Sequence, residues 1–195
     1  MGRKMVQASH DSRLLKYPLS MRILHWIRAV LILGLIWAGW RMTGFPEDTP
    51  MEKFNFYYSN HKQFGVLVWL IAIVHLVIRW RKQAILPQTP SGLSRWEKIL
   101  SKVVHRLIIT LTLLVPMLGY AMSSSFTQSD GVPFFFIHEV PEILPKNDAA
   151  FKVYDMLHEY AAYTLLGLIV LHIAGAIKHR LTDKGGESDV LPRML

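Results

Sequence analysis

HKQFGVLVWLIAIVH, residues 61–75, and HEYAAYTLLGLIVLH, residues 158–172, decide the fold. Each is an apolar run bounded by two histidines fourteen residues apart, His61 with His75 and His158 with His172. Fourteen residues of α-helix rise about 21 Å and turn roughly 1400°, about 40° short of four revolutions. Each pair therefore lies on nearly one face of its helix, one member toward each side of a bilayer core about 30 Å thick. A further histidine, His25, opens an earlier apolar stretch at a depth that competes with one of these positions.

Around the two runs, the apolar residues fall into four blocks: Ile23–Trp40, Phe64–Ile78, Leu107–Ala121 and Tyr160–Ile177. The chain is 51% hydrophobic, with a mean hydropathy of +0.25. With amphipathic flanks each block reaches the roughly 17 to 25 residues that cross a bilayer. A lipid-exposed backbone must satisfy its own hydrogen bonds, so helices are expected. Spans are placed near 21–42, 61–80, 103–122 and 153–177. What lies between them is too short for a soluble domain. Residues 1–195 thus read as one all-α integral membrane domain, a four-helix bundle.

Charge sets the topology. The net charge is +8, but 17 of the 22 Lys and Arg fall at or before Arg28, from Arg79 through Arg106, or from Lys178 onward. The opposite segments hold 5 Lys and Arg and 9 of the 14 acidic residues. Basic residues mark the cytoplasmic side, so both termini are expected there. The excess is a topology signal with anionic lipid contact as a secondary use, and it does not indicate nucleic acid. No cysteine is present, which excludes disulfides, iron–sulfur clusters and covalent haem attachment. No cleavable signal is read at the N-terminus.

Between the spans, Pro18 and Ser20 mark the start of the first, with Ser20 as N-cap. Gly44, Pro46 and Pro50 make Thr43–Ser59 a loop that enters the second span near Asn60. A helix resumes near Ser94, and Pro116 should kink it. The stretch from Ser123 to Asp148 reads as an irregular cap over the bundle, and the last span begins near Ala149. His10, His138 and His179 read as solvated.

Histidine is costly in hydrocarbon, so four at matched depths point to a site. Neutral imidazole suits zinc, copper and iron. A discrete zinc site wants three or four ligands at one depth, whereas here two ligands stand at each of two depths about 21 Å apart. Two imidazoles per depth are what a six-coordinate haem needs. Any haem would be b-type, two per chain. By spacing alone, His75 pairs with His172 and His61 with His158. Arg28 follows His25 by three residues and Arg79 follows His75 by four, so each cation shares a face with its histidine and could meet a haem propionate. Gly65 and Gly175 leave room near His61 and His172.

These residues resemble the bacterial cytochrome b561 family, related to the cytochrome b subunits of nickel hydrogenases. The likeness runs from about Tyr17 to Lys178. It is carried by Arg22-Ile23-Leu24-His25-Trp26, His61 with Gly65, Arg79 with Arg81, His105, Pro116 with Gly119, His158-Glu159 and His172. It implies four helices enclosing two b haems, one ligated by His25 and His172, the other by His61 and His158. His75, where family members often carry arginine, then becomes a propionate or outer partner. His105 is placed at a quinone site or at the interface. The function implied is electron transfer across a bacterial inner membrane, exchanging electrons with membrane quinone. Superoxide or a periplasmic redox protein would be the outer partner. The alternatives are a membrane anchor subunit of a hydrogenase or dehydrogenase, and a histidine-lined metal transporter.

Overall fold

The computed structural model describes residues 16–195 apart from 91, 130, 136, 185 and 187. His10 and the side chain of His138 lie outside the described residues. Four helices follow one another: α1 (Leu19–Thr43), α2 (Met51–Arg81), α3 (Arg95–Ser125) and α4 (Asp148–Thr182). Each is long and apolar enough to cross a membrane. Their outer faces are apolar as well. Val30 is 69% exposed and Val170 58%, which lipid accommodates and water would penalise.

The helix ends follow local chemistry. Ser20 is not the N-cap of α1; Pro18 is, and its carbonyl accepts from the N–H groups of Met21 and Arg22. Ser20 Oγ instead accepts from Lys82 Nζ at 3.2 Å, tying α1 to the end of α2. The helix α2 begins nine residues earlier than Asn60. Pro50 caps it, and Phe54, Tyr57 and Tyr58 continue the face that His61 occupies. Proline is well suited to a helix entry because the first N–H groups have no intrahelical acceptor. At α3 the Ser94 side chain accepts from Glu97 N while Glu97 Oε2 accepts from Ser94 N at 2.9 Å, a reciprocal cap. Asn147 Oδ1 accepts from Ala149 N and Ala150 N at 2.9 and 3.1 Å, opening α4. The helix α3 continues through Pro116, where the missing N–H leaves the Thr112 carbonyl without its usual donor.

The segment expected to be irregular contains a small antiparallel hairpin, β1 (Val132–Phe134) with β2 (Ile137–Val140). Gly131 precedes it at φ +90°, where a Cβ would lie 2.9 Å from the Glu139 carboxyl carbon. Three consecutive residues of α2 fasten this hairpin. Lys62 Nζ donates to the Gly131 carbonyl at 2.9 Å, Gln63 Oε1 accepts from Phe135 N at 3.2 Å, and Phe64 packs edge-on against Phe135. Phe135 holds a positive φ of 37°, a strained conformation that these α2 contacts help to hold.

The packing is uneven in a way that matters. Backbone contact is extensive between α3 and α4, α1 and α2, and α2 and α3, but α4 has no comparable backbone contact with α1 or α2. At mid-depth side chains bridge that gap, where buried Ile32, Val68 and Leu165 meet. Val68 and Leu165 are the midpoints of the two histidine-bounded runs. Seven residues, or about 10 Å of rise, separate each from its histidines.

Candidate functional site

Facing histidines occupy the gap on either side of that apolar layer. At the hairpin end, His61 of α2 and His158 of α4 stand with ring centroids 6.2 Å apart and planes at 79°. His158 Nδ1 lies 2.9 Å from the Val115 carbonyl. A carbonyl can only accept, so Nδ1 carries the proton and Nε2 keeps its lone pair. His61 is buried too, and the Leu35 carbonyl stands as the backbone acceptor beside its ring. Gly119 lets the His158 ring in, since a Cβ there would lie 3.0 Å from Cε1, whereas one on Gly39 would make only an ordinary 3.7 Å contact with His61 Cε1.

At the end that carries the termini, His25 of α1 faces His172 of α4, again with centroids 6.2 Å apart, planes at 65°. The repeated distance has a simple reading. Two imidazole nitrogens each about 2 Å from a shared metal, plus the offset from nitrogen to ring centre, put the centroids roughly 6 Å apart. His105 of α3 stands closer to His172, at 4.9 Å and edge-on, too near for a metal between them. Its Nδ1–H donates to the Ser101 carbonyl at 2.6 Å.

His75 is engaged elsewhere. Arg28 Nη1 lies 2.7 Å from His75 Nδ1. Arginine only donates, so Nδ1 uses its lone pair and the ring proton sits on Nε2. A neutral imidazole in that state has no nitrogen lone pair left for a metal. Among the described residues no ring contact joins His75 to His172. Arg28 Nε is buried and without a partner, an unused donor beside the gap. Arg79, one turn beyond His75, is exposed.

The structure thus brings together His61 with His158, His25 with His172 and His105, and Arg28 with His75. Among the described residues no three His, Cys, Asp or Glu side chains converge as a discrete metal site. Gly65 and Gly175 have nothing within 4 Å of where a Cβ would be, so space adjoins the backbone close to His61 and His172. Paired neutral imidazoles on helices without close backbone contact and an unpartnered guanidinium N–H fit a b-type haem, with its axial ligands and its anionic propionates. His179, expected to be solvated, has a side chain only 15% exposed, with Nε2 4.0 Å from Glu97 Oε1. The contacts of Trp26 on His25 (5.3 Å, 82° between planes), of Gly119 on His158 and of the Val115 carbonyl were not foreseen. The Gly119 and Val115 contacts depend on helix rotation and on partners up to 43 residues away, whereas Trp26 adjoins His25 in sequence and only its geometry was hidden.

Four membrane-crossing helices that hold facing imidazoles at two depths define a membrane cytochrome b. Residues 16–195 match the prokaryotic cytochrome b561 family, and the chain belongs to that family. It is 25% identical over 187 residues, 92% of this chain and 91% of the relative, to cytochrome b561 homolog 2 of Escherichia coli (strain K12). It is therefore a membrane protein of a family that transfers electrons across the membrane through b haems.

Proposed function

We propose that the chain holds two b haems, one between His61 and His158 and one between His25 and His172, and passes electrons between them and membrane quinone. One observation carries this reading above the others: two imidazole pairs share one spacing, 6.2 Å, between helices that lack close backbone contact. Bound haem iron supplies one-electron chemistry at each depth. The residues supply the rest. Val115 fixes the tautomer of His158, and the Ile32–Val68–Leu165 layer keeps water out between the two depths. Arg28, held by His75, offers its remaining donors to a propionate. Its partner His75 is then a propionate-side residue rather than a ligand, and His105 lies beside His172, where its Nε2 lone pair could accept from a quinol hydroxyl.

The distribution of the basic segments supports both termini being cytoplasmic, in a bacterial inner membrane. The hairpin end then faces the periplasm. Its acidic excess supports a cationic redox protein as outer partner over superoxide.

Haem counting tests the reading. Pyridine haemochrome analysis should give two b haems per polypeptide. His61→Ala and His158→Ala should each lose one haem, His25→Ala and His172→Ala should each lose the other, and His75→Ala should retain two. One haem in the parent chain, or loss from His75→Ala with retention in His25→Ala, would refute this assignment.

A further inference from the structure

The C-terminal tail reaches one of the proposed ligands through a single side chain. Beyond α4, Ser188 Oγ and N both donate to Asp183 Oδ2, at 2.7 and 2.9 Å. Arg180 Nη1 donates to Asp189 Oδ2 at 2.6 Å, and Asp189 is fully buried. The chain then crosses under the bundle to the start of α1. There the Arg193 carbonyl accepts from Tyr17 N at 3.0 Å, and Arg193 Nη1 donates to the Gln88 carbonyl in the α2–α3 linker at 2.9 Å. The last contact is with Trp26: its indole Nε1–H donates to the Met194 carbonyl at 2.9 Å. The same indole stands edge-on to the His25 ring, centroids 5.3 Å apart and planes at 82°.

We infer that Trp26 is a positioning residue for His25 and that the tail from Ser188 to Leu195 is the strap that holds it. This rests on His25 being a haem ligand. An edge-on aromatic pair has a preferred geometry because the positive ring edge meets the negative ring face. Fixing the indole by its N–H therefore limits rotation of the imidazole. The plane and basicity of an axial imidazole are among the levers by which the surrounding protein sets a haem potential. An interfacial tryptophan needs no partner inside the protein, because headgroups and water serve its N–H. Here the partner is a backbone carbonyl 168 residues away in sequence, itself held by contacts at Gln88 and Tyr17. The strap thereby joins the start of α1, the α2–α3 linker and the end of α4 on the same side of the bundle as the His25–His172 pair.

The experiment compares Trp26→Phe, a chain ending at Val190, and the two combined, in the purified haem-loaded protein. Redox titration and low-spin EPR of the oxidised state are the readouts. Trp26→Phe keeps a ring against His25 but removes the donor. It should retain full haem content, shift the potential and EPR signal of the haem that His25→Ala removes, and leave the other unchanged. The shortened chain should give the same shift, and the combination should add nothing to it. Unaltered potential and EPR in Trp26→Phe overturn the strap. If the shortened chain does not accumulate, Trp26→Phe decides alone. If His25→Ala keeps both haems, the ligand reading fails first and the strap falls with it.

Discussion

At Gly119 the place where a side chain would begin is taken by a ring: His158 Cε1 and Nδ1 lie 3.0 and 3.1 Å from an ideal Cβ. The same edge of the ring is tied to the Val115 carbonyl, one turn earlier on α3, so it cannot retreat from Gly119 without stretching its tautomer-fixing hydrogen bond. Gly119→Ala should therefore push the imidazole by a few tenths of an ångström. Lost outer-partner contacts typically cost 10 to 100-fold in metal affinity, and a weakening of roughly that size is expected for the haem at the hairpin end. Haem retention during gel filtration, compared with His158→Ala, measures it; retention equal to the parent chain would show that the ring has slack. The histidines themselves could be read from residue spacing, because helical geometry converts position into depth. Their protonation could not. Arg28 and His75 stand 47 residues apart, and only packing reveals that one consumes the lone pair of the other. His105 on His172 is a second case, set by the rotation of α3 against α4.

Elements were readable where their ends carry side-chain chemistry and misread where prolines admit two meanings. Ser94 announces α3, and α4 opens at Asp148, beside the expected Ala149, with Asn147 as its cap. The run Gly44, Pro46, Pro50 reads as a loop, but the last of these is a helix start, and α2 gains a full two turns of aromatic residues before His61. The hairpin was invisible because its strands are three and four residues long and owe their shape to α2 rather than to β-propensity. Its base has a pH response that can be worked out. Glu142 accepts from Ser129 Oγ at 2.8 Å and pairs with Lys146. Burial would raise its pKa, but the hydrogen bonds from Lys146 and Ser129 and the charges of Lys146 and Lys62 prevail, and it lies below the ordinary value of 4.5. A lowered carboxylate stabilises the folded form above its unfolded pKa and ceases to do so as pH falls through its folded value. Amide-exchange protection of β1 and β2 should thus hold from neutrality to about pH 4.5 and decline below it. In Glu142→Gln the acid step should vanish, and a step that persists assigns it to another group.

On the scale of the whole molecule, charge does what packing cannot: it orients the bundle. The asymmetry of 17 basic residues against 5 predicts which end stays in the cytoplasm, and a cysteine-free chain makes the test clean. In intact cells a membrane-impermeant maleimide should label Asp48→Cys, and it should label Lys184→Cys only after lysis; the reverse pattern inverts the assignment of every site to a side. The same charges bear on what approaches the hairpin end. Its segments carry 9 acidic residues and 5 basic ones, and fields of that sign draw cations and repel anions over distances of about 10 Å at 0.1 M salt. Steering shows itself as a dependence on ionic strength, because screening removes attraction and repulsion alike. Reduction of the haems by a small cationic c-type cytochrome should therefore slow steeply as salt rises, whereas reduction by superoxide should quicken or stay level. Lys62 is the residue that could reverse this, since it lies next to His61 and reaches over the hairpin to Gly131. A superoxide rate that falls with salt in the parent chain, and loses that dependence in Lys62→Gln, would mean that local charge at the ring outweighs the acidic rim and that the small anion is the outer donor.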